Sequence, residues 1–120
     1  MGFKAILKSI VAESDGSLGG VIMGYDGIAI DELVLDRAGI DVPMLAVEYA
    51  SVLKEIKRTI SVLQTGELQE VSIVTERCSV IVRGISDDFF AALVITADGN
   101  FGKARYLLKR EAAKLREALQ

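Results

Sequence analysis

Phe3, Ile6, Leu7, Ile10 and Val11 recur at the spacing of one helical face, with Lys4 and Lys8 opposite, so the chain opens on an amphipathic helix. Ser14-Asp15-Gly16 supplies its stop. The apolar run 18–24, the turn Tyr25-Asp26-Gly27 and the run 28–35 predict a hairpin, because an Asp-Gly pair readily takes the positive φ of a tight turn. Residues 36–42 read as a loop. Pro43 then opens the longest helical stretch, 44–64, with Asp41 placed to cap its start and Gly66 to end it. Leu45, Tyr49, Val52, Leu53, Ile56, Ile60 and Leu63 are predicted to form its core face. Three strand-like runs follow, 69–76, 78–85 and 89–96, joined by turns short enough to require antiparallel pairing. Asp98-Gly99-Asn100 leads into a last amphipathic helix, 101–118, in which Ala104, Leu108, Ala112, Leu115 and Leu119 share one side.

The order is therefore α-ββ-α-βββ-α, an α+β plan. No internal repeat, linker or low-complexity segment interrupts it, and residues 1–120 are expected to form a single domain. Two details of the pattern bear on function. Val21-Ile22-Met23 and the run 89–95 are apolar without alternation, which predicts central strands covered on both faces by helices. The edges also differ. Asp31 and Glu32 discourage further pairing along 28–35, whereas the run holding Val71, Ile73 and Val74 has no internal charge and a sequential neighbour on one side only. Pairing with a second copy across a two-fold axis satisfies such an edge economically.

Composition narrows the chemistry. The chain has no histidine, which removes the side chain most used for proton transfer near neutral pH and the commonest metal ligand. Its one cysteine, Cys78, can form neither an internal disulfide nor a thiolate zinc cage, and suits a reducing cytoplasm. Catalytic, metal and cofactor sites are thus not expected. Apolar residues make up 51% of the chain and aromatics 6%, so aliphatic side chains must build the core. A net charge of −3, with fourteen scattered Lys and Arg, argues against a nucleic-acid partner. No apolar run approaches the roughly 18 residues that a membrane-spanning helix needs, so no membrane insertion is expected. The start, Met1-Gly2-Phe3-Lys4-Ala5-Ile6, has Ile6 where a myristoylation signal wants Ser or Thr, and it lacks the features of a secretion signal. The expected location is the cytoplasm.

The element order and the hairpin GGVIMGYDGIAIDEL resemble the roadblock family of dynein light chains and bacterial gliding regulators. The stretch EVSIVTERCSVIVRGISDDFFAALVITADGNFGKARYLLKREAAKLREAL resembles that family's meander and last helix. The resemblance implies a five-stranded antiparallel sheet in the order 2-1-5-4-3, with the middle helix on one face and the first and last helices on the other. It implies a homodimer built from the third strand and the middle helix, in which the two sheets become continuous. It further implies a non-catalytic adaptor or GTPase regulator. In bacteria such a dimer binds a Ras-like gliding GTPase and can act as a GTPase-activating protein without an arginine finger. In eukaryotes the relatives bind dynein intermediate chain or Rag-type GTPases. A second reading is a light-chain-type structural subunit that tethers a larger assembly through a peptide, whatever the nucleotide state. A third is an enzyme or small-ligand sensor, since a sheet with helices on both faces can hide a pocket.

On this basis Val71, Ile73, Thr75, Val47, Ala50 and Lys54 are the expected dimer residues, and Val47, Ser51, Lys54 and Arg58 the expected partner-docking residues. Small residues at 47, 50 and 51 would admit another helix closely, and Lys54 and Arg58 would meet acidic groups. A blander reading assigns Val47 and Ala50 to the homodimer alone and leaves the charges solvated. Gly16, Gly19, Gly20 and Gly24 precede or sit inside a strand, so close packing is expected of them and not phosphate binding. Asp87 and Asp88 are expected to form a turn. Cys78 should be a packed thiol. The basic last helix, interrupted by Glu111 and Glu117, should present a solvated outer face.

Overall fold

The computed structural model describes residues 2–35 and 38–120, so Asp36 and Arg37 of the expected loop lie outside the described residues. Helix α1 (Phe3–Glu13) buries Ile6, Leu7, Ile10 and Val11, with Phe3 packed at the rim of the same cluster. Strands β1 (Ser17–Gly24) and β2 (Ala29–Val34) form the hairpin, helix α2 (Val42–Leu63) follows, and β3 (Glu70–Val74), β4 (Cys78–Gly84) and β5 (Phe89–Thr96) make the meander before helix α3 (Phe101–Ala118). The strands form one antiparallel sheet in the order β2-β1-β5-β4-β3.

The missing alternation in the central runs has the expected cause. All of β1 is buried, as is β5 from Phe90 to Ile95. Phe90, Ala92 and Val94 pack in the α2 layer, while Ala91, Leu93 and Ile95 pack in the layer of α1 and α3. The β1 glycines serve packing: a Cβ at Gly20 would press on Leu7 and Val11 of α1. Caps set the helix starts. The Met44 N–H donates to Asp41 Oδ1 at 3.1 Å, and the Lys103 N–H donates to Asn100 Oδ1 at 3.0 Å. The end of α2 differs from expectation, since Gln64 itself takes the left-handed conformation, at φ 55°, two residues before Gly66.

The largest departure from the sequence reading concerns which side of α2 meets the sheet. Val42, Ala46, Ala50 and Leu53 are the buried residues. Of the expected core face only Leu53 belongs to them. Leu45, Tyr49 and Ile56 are half-buried at the margin of the cluster, and Val52 and Leu63 stand 51% and 64% exposed. The alanines let the helix lie close to the sheet, and that close seat rotates the bulkier side chains outward. Ala50, expected on the outer side, is only 1% exposed and packs in the cluster between α2 and the sheet.

Glu111 is also corrected. It is 5% exposed and lies on the buried side of α3, 3.1 Å from Arg110 and 3.4 Å from Lys114, while Arg110 also reaches Glu13 of α1 at 2.6 Å. Arg110 thus ties the two helices together, and Glu111 is buried beside it where a solvated charge was expected.

Candidate protein-docking surface

The β3 edge is open, since β3 ends the sheet beyond β4. Its pairing with β4 runs from Glu70 opposite Arg83 to Val74 opposite Ser79 without a shift. At the ends of this ladder the Thr75 N–H donates to the Cys78 carbonyl and the Gly84 N–H donates to the Gln69 carbonyl. Antiparallel ladders alternate bonded and non-bonded pairs. Residues 69, 71, 73 and 75 therefore direct their backbone groups inward to β4, and Glu70, Ser72 and Val74 direct theirs outward. Of the expected dimer residues on this strand, Val71 and Ile73 lie half-buried with their side chains in the α2 layer. Thr75 sits just past the strand, with its hydroxyl as well as its N–H turned back to the Cys78 carbonyl. The open edge is thus presented by the backbone of 70, 72 and 74, which the choice of side chains had missed.

Helix α2 lies nearest β1, with β2 next to it. Three stripes run along it. Residues 42, 46, 50 and 53 face the sheet. On the flank away from the β1–β2 hairpin, Leu45, Tyr49 and Ile56 pack half-buried at the margin of the cluster that Val71 and Ile73 of β3 also border, and Val52 continues the flank into solvent. On the other flank Val47 lies beside Gly27 of the β1–β2 hairpin and is 47% exposed. Ser51, Lys54 and Arg58 continue that outer stripe at helical spacing and are exposed. Their local bonds stay on the helix: Ser51 Oγ donates to the Glu48 carbonyl at 3.0 Å, and Arg58 Nε donates to Glu55 at 2.8 Å. The two flanks differ by two positions, roughly 200° of rotation. Val47 and Lys54 consequently lie away from the apolar flank of Leu45, Tyr49, Val52 and Ile56, which borders the same cluster as Val71 and Ile73 of β3.

At the other end of α2, Lys57 anchors the helix to the β4–β5 turn. Its ammonium donates to the Asp87 carbonyl, lies 3.7 Å from Asp87 Oδ1 and sits 4.1 Å above the Tyr25 ring, which in turn packs on Phe90 at 5.2 Å. Burial first, then the Asp87 charge, pushes the Tyr25 phenol up to about 12. Asp87 and Asp88 do form this turn, and the Asp88 carbonyl accepts from the Tyr25 N–H at 3.1 Å. Cys78 is a buried thiol packed in the α2 layer. Among the described residues no cluster of three or more carboxylate or thiol side chains is arranged to hold a metal ion. No described helix is long and apolar enough to cross a membrane.

No protein-family model matches the chain, and no curated protein matches it. Solved structures do. MglC from Myxococcus xanthus shares 39% identity over 98% of both chains, with a TM-score of 0.71. An MglB structure described as having a tetrameric arrangement shares 19% identity over 96% of this chain and 85% of that one, with a TM-score of 0.82. A Roadblock/LC7 domain from Streptomyces avermitilis shares 14% identity over 99% and 98% of the two chains, with a TM-score of 0.77. The last two share the fold alone at those identities. MglC adds close sequence likeness along nearly the whole chain, on the same sheet order and helix layers, and so the chain belongs to the roadblock family.

Proposed function

We propose that the chain works as a non-catalytic homodimeric adaptor in the cytoplasm, binding a Ras-like small GTPase and modulating its cycle or its placement. One observation carries the dimer: an unpaired strand edge and a part-exposed apolar helix flank border the same core cluster. The outward backbone groups of Glu70, Ser72 and Val74 need partners, and a two-fold axis at Ser72 pairs 70 with 74 of the second copy and 72 with 72. The same axis brings the α2 flanks of Leu45, Tyr49, Val52 and Ile56 together over the joined strands and covers Val71 and Ile73. The tetrameric arrangement named for the MglB structure is consistent with self-association on this fold.

The stripe Val47, Ser51, Lys54 and Arg58 then remains outside the junction on both copies, and it is the proposed docking surface for the GTPase. It combines a half-exposed apolar residue with two cations, which suits an acidic-rimmed partner patch. The GTPase itself is an expectation carried by the family.

Two measurements test this reading in sequence. Sedimentation at micromolar concentration should give a dimer. A pull-down with a Ras-like GTPase encoded beside this chain should depend on whether GDP or a GTP analogue is loaded, and GTP turnover should change when the dimer is added. Capture that ignores the nucleotide and leaves turnover untouched would instead support the structural-tether reading.

A further inference from the structure

A cavity of about 310 Å³ opens at the end of the sheet, between the C-terminal part of α2, residues 66–69, the β4–β5 turn and the last turn of α3. Its volume lies at the lower end of the range of small-molecule sites. Lys57, Arg83 and Arg116 bring three cations to its wall, against the carboxylates of Asp87 and Glu67. The Asp87 side chain is 90% exposed and Glu67 is exposed, so both carboxylates are solvated at the mouth.

Among the residues that line the cavity, Arg83 is the one with a buried polar atom left unpartnered. Its Nε is buried and meets no acceptor among the described residues. Glu70 stands directly across the ladder from Arg83, yet its carboxylate is held by Arg105 of α3 at 2.8 Å. A guanidinium carries only N–H donors and no acceptor, so a buried N–H of this kind is costly unless something accepts from it. The neighbouring groups are donors too. Arg116 spends Nε on the Ile85 carbonyl at 2.7 Å, which fixes its guanidinium at the wall. The Tyr25 hydroxyl also lines the cavity, beside Gly84, and stays protonated across the neutral range. Nothing in the docking surfaces uses these four side chains, which are scattered across α2, α3, β4 and the hairpin and meet only in the folded chain.

We propose that this cavity binds the phosphate or carboxylate group of a small soluble ligand, with Arg83 and Arg116 holding its oxygens and Lys57 and Tyr25 completing the donor set. Paired guanidinium donors match the planar or tetrahedral spread of such oxygens better than a single ammonium does. This site does not depend on the dimer or on the GTPase.

The test uses the full chain, titrated separately with inorganic phosphate and with citrate, against sodium chloride at matched ionic strength. Backbone amide NMR shifts and the thermal midpoint are followed together. One of the two anions should give saturable shifts centred on Leu68, Gly84 and Ile85 and raise the midpoint, and the tighter of the two assigns the group as phosphate or carboxylate. Arg83→Gln and Arg116→Gln should each weaken binding about tenfold or more while the remaining spectrum and the sedimentation behaviour stay unchanged. Shifts that never saturate beyond the chloride control overturn the site, as does equal affinity in the variants. Arg116 is exposed, so its variant decides the matter if the Arg83 variant fails to fold.

Discussion

Replacing Ser72 by proline tests the proposed junction at its centre. In the ladder with β4, the Ser72 N–H and carbonyl point to the open side, so the fold of one copy loses no hydrogen bond when the N–H is removed. Proline is tolerated on an edge strand for that reason, and an exposed edge position of this kind should cost a single copy no more than about 1 kcal/mol. In the dimer the two Ser72 residues would face each other and exchange two hydrogen bonds. Proline deletes both donors and leaves two carbonyls buried without partners, at about 1–3 kcal/mol each. The sum, about 2–6 kcal/mol, corresponds to a dissociation constant raised roughly thirty- to twenty-thousand-fold. Sedimentation equilibrium over nanomolar to hundred-micromolar concentrations measures this directly, with circular dichroism and a urea transition run beside it. Ser72→Ala, which keeps the N–H, should dimerise like the natural chain. A Ser72→Pro chain that dimerises with unchanged affinity refutes the two-fold pairing. One that loses its native fold refutes the assignment of the Ser72 N–H to the open side.

Four further outcomes are expected. Val52→Asp should weaken the dimer about ten- to a hundredfold through a charge placed in the apolar flank, while the unfolding free energy of the dissociated chain in urea changes by no more than about 0.5 kcal/mol. Lys54→Glu with Arg58→Glu should leave the dimer mass unchanged and weaken capture of the GTPase about tenfold, with a reduced salt dependence, as read by surface plasmon resonance at two ionic strengths. Gly84→Ala places a Cβ 2.3 Å from the Leu68 carbonyl oxygen, so the backbone must shift, and the urea transition should report a loss of about 1–3 kcal/mol with an unchanged slope. Tyr25 has its phenol raised from 10.0 to about 12 in the folded chain, so the unfolded chain releases that proton first as pH rises. Its contribution is intact below pH 10 and is lost between pH 10 and about 12, roughly 2–3 kcal/mol in all. Tyr25→Phe should flatten that part of the stability curve, and a curve that stays steep in the variant assigns the decline to another group.

Local signals explain how much of the fold was legible. The Asp26-Gly27 turn, the Asp41 cap and the 3-4 spacing in α1 each act over a few residues, and each lies where the pattern put it. The doubly buried central strands were legible because burial on both faces abolishes alternation, as in residues 89–95. The docking surface was only partly legible. On α2 the bulky residues Leu45, Tyr49, Val52 and Ile56 outweighed Ala46 and Ala50 in the apolar pattern, yet the alanines face the sheet. The competing stripe 42, 46, 50 and 53 was present in the chain and was the signal that would have separated core from flank. Periodicity reports that a helix has an apolar side, but it does not distinguish a side covered by its own sheet from one awaiting another surface.

The sequence by itself determined the element order, the antiparallel meander, the exclusion of histidine chemistry and the contrast between an edge strand charged at its middle and one whose middle is uncharged. These follow from spacing and composition, which act along the chain. Tertiary structure alone decided the rotation of α2 on the sheet, the outward pointing of Glu70, Ser72 and Val74, the burial of Glu111, and the gathering of Tyr25, Lys57, Arg83 and Arg116 around one cavity. Those outcomes depend on which distant surfaces fit closest, since packing selects among faces that local preference leaves nearly equal.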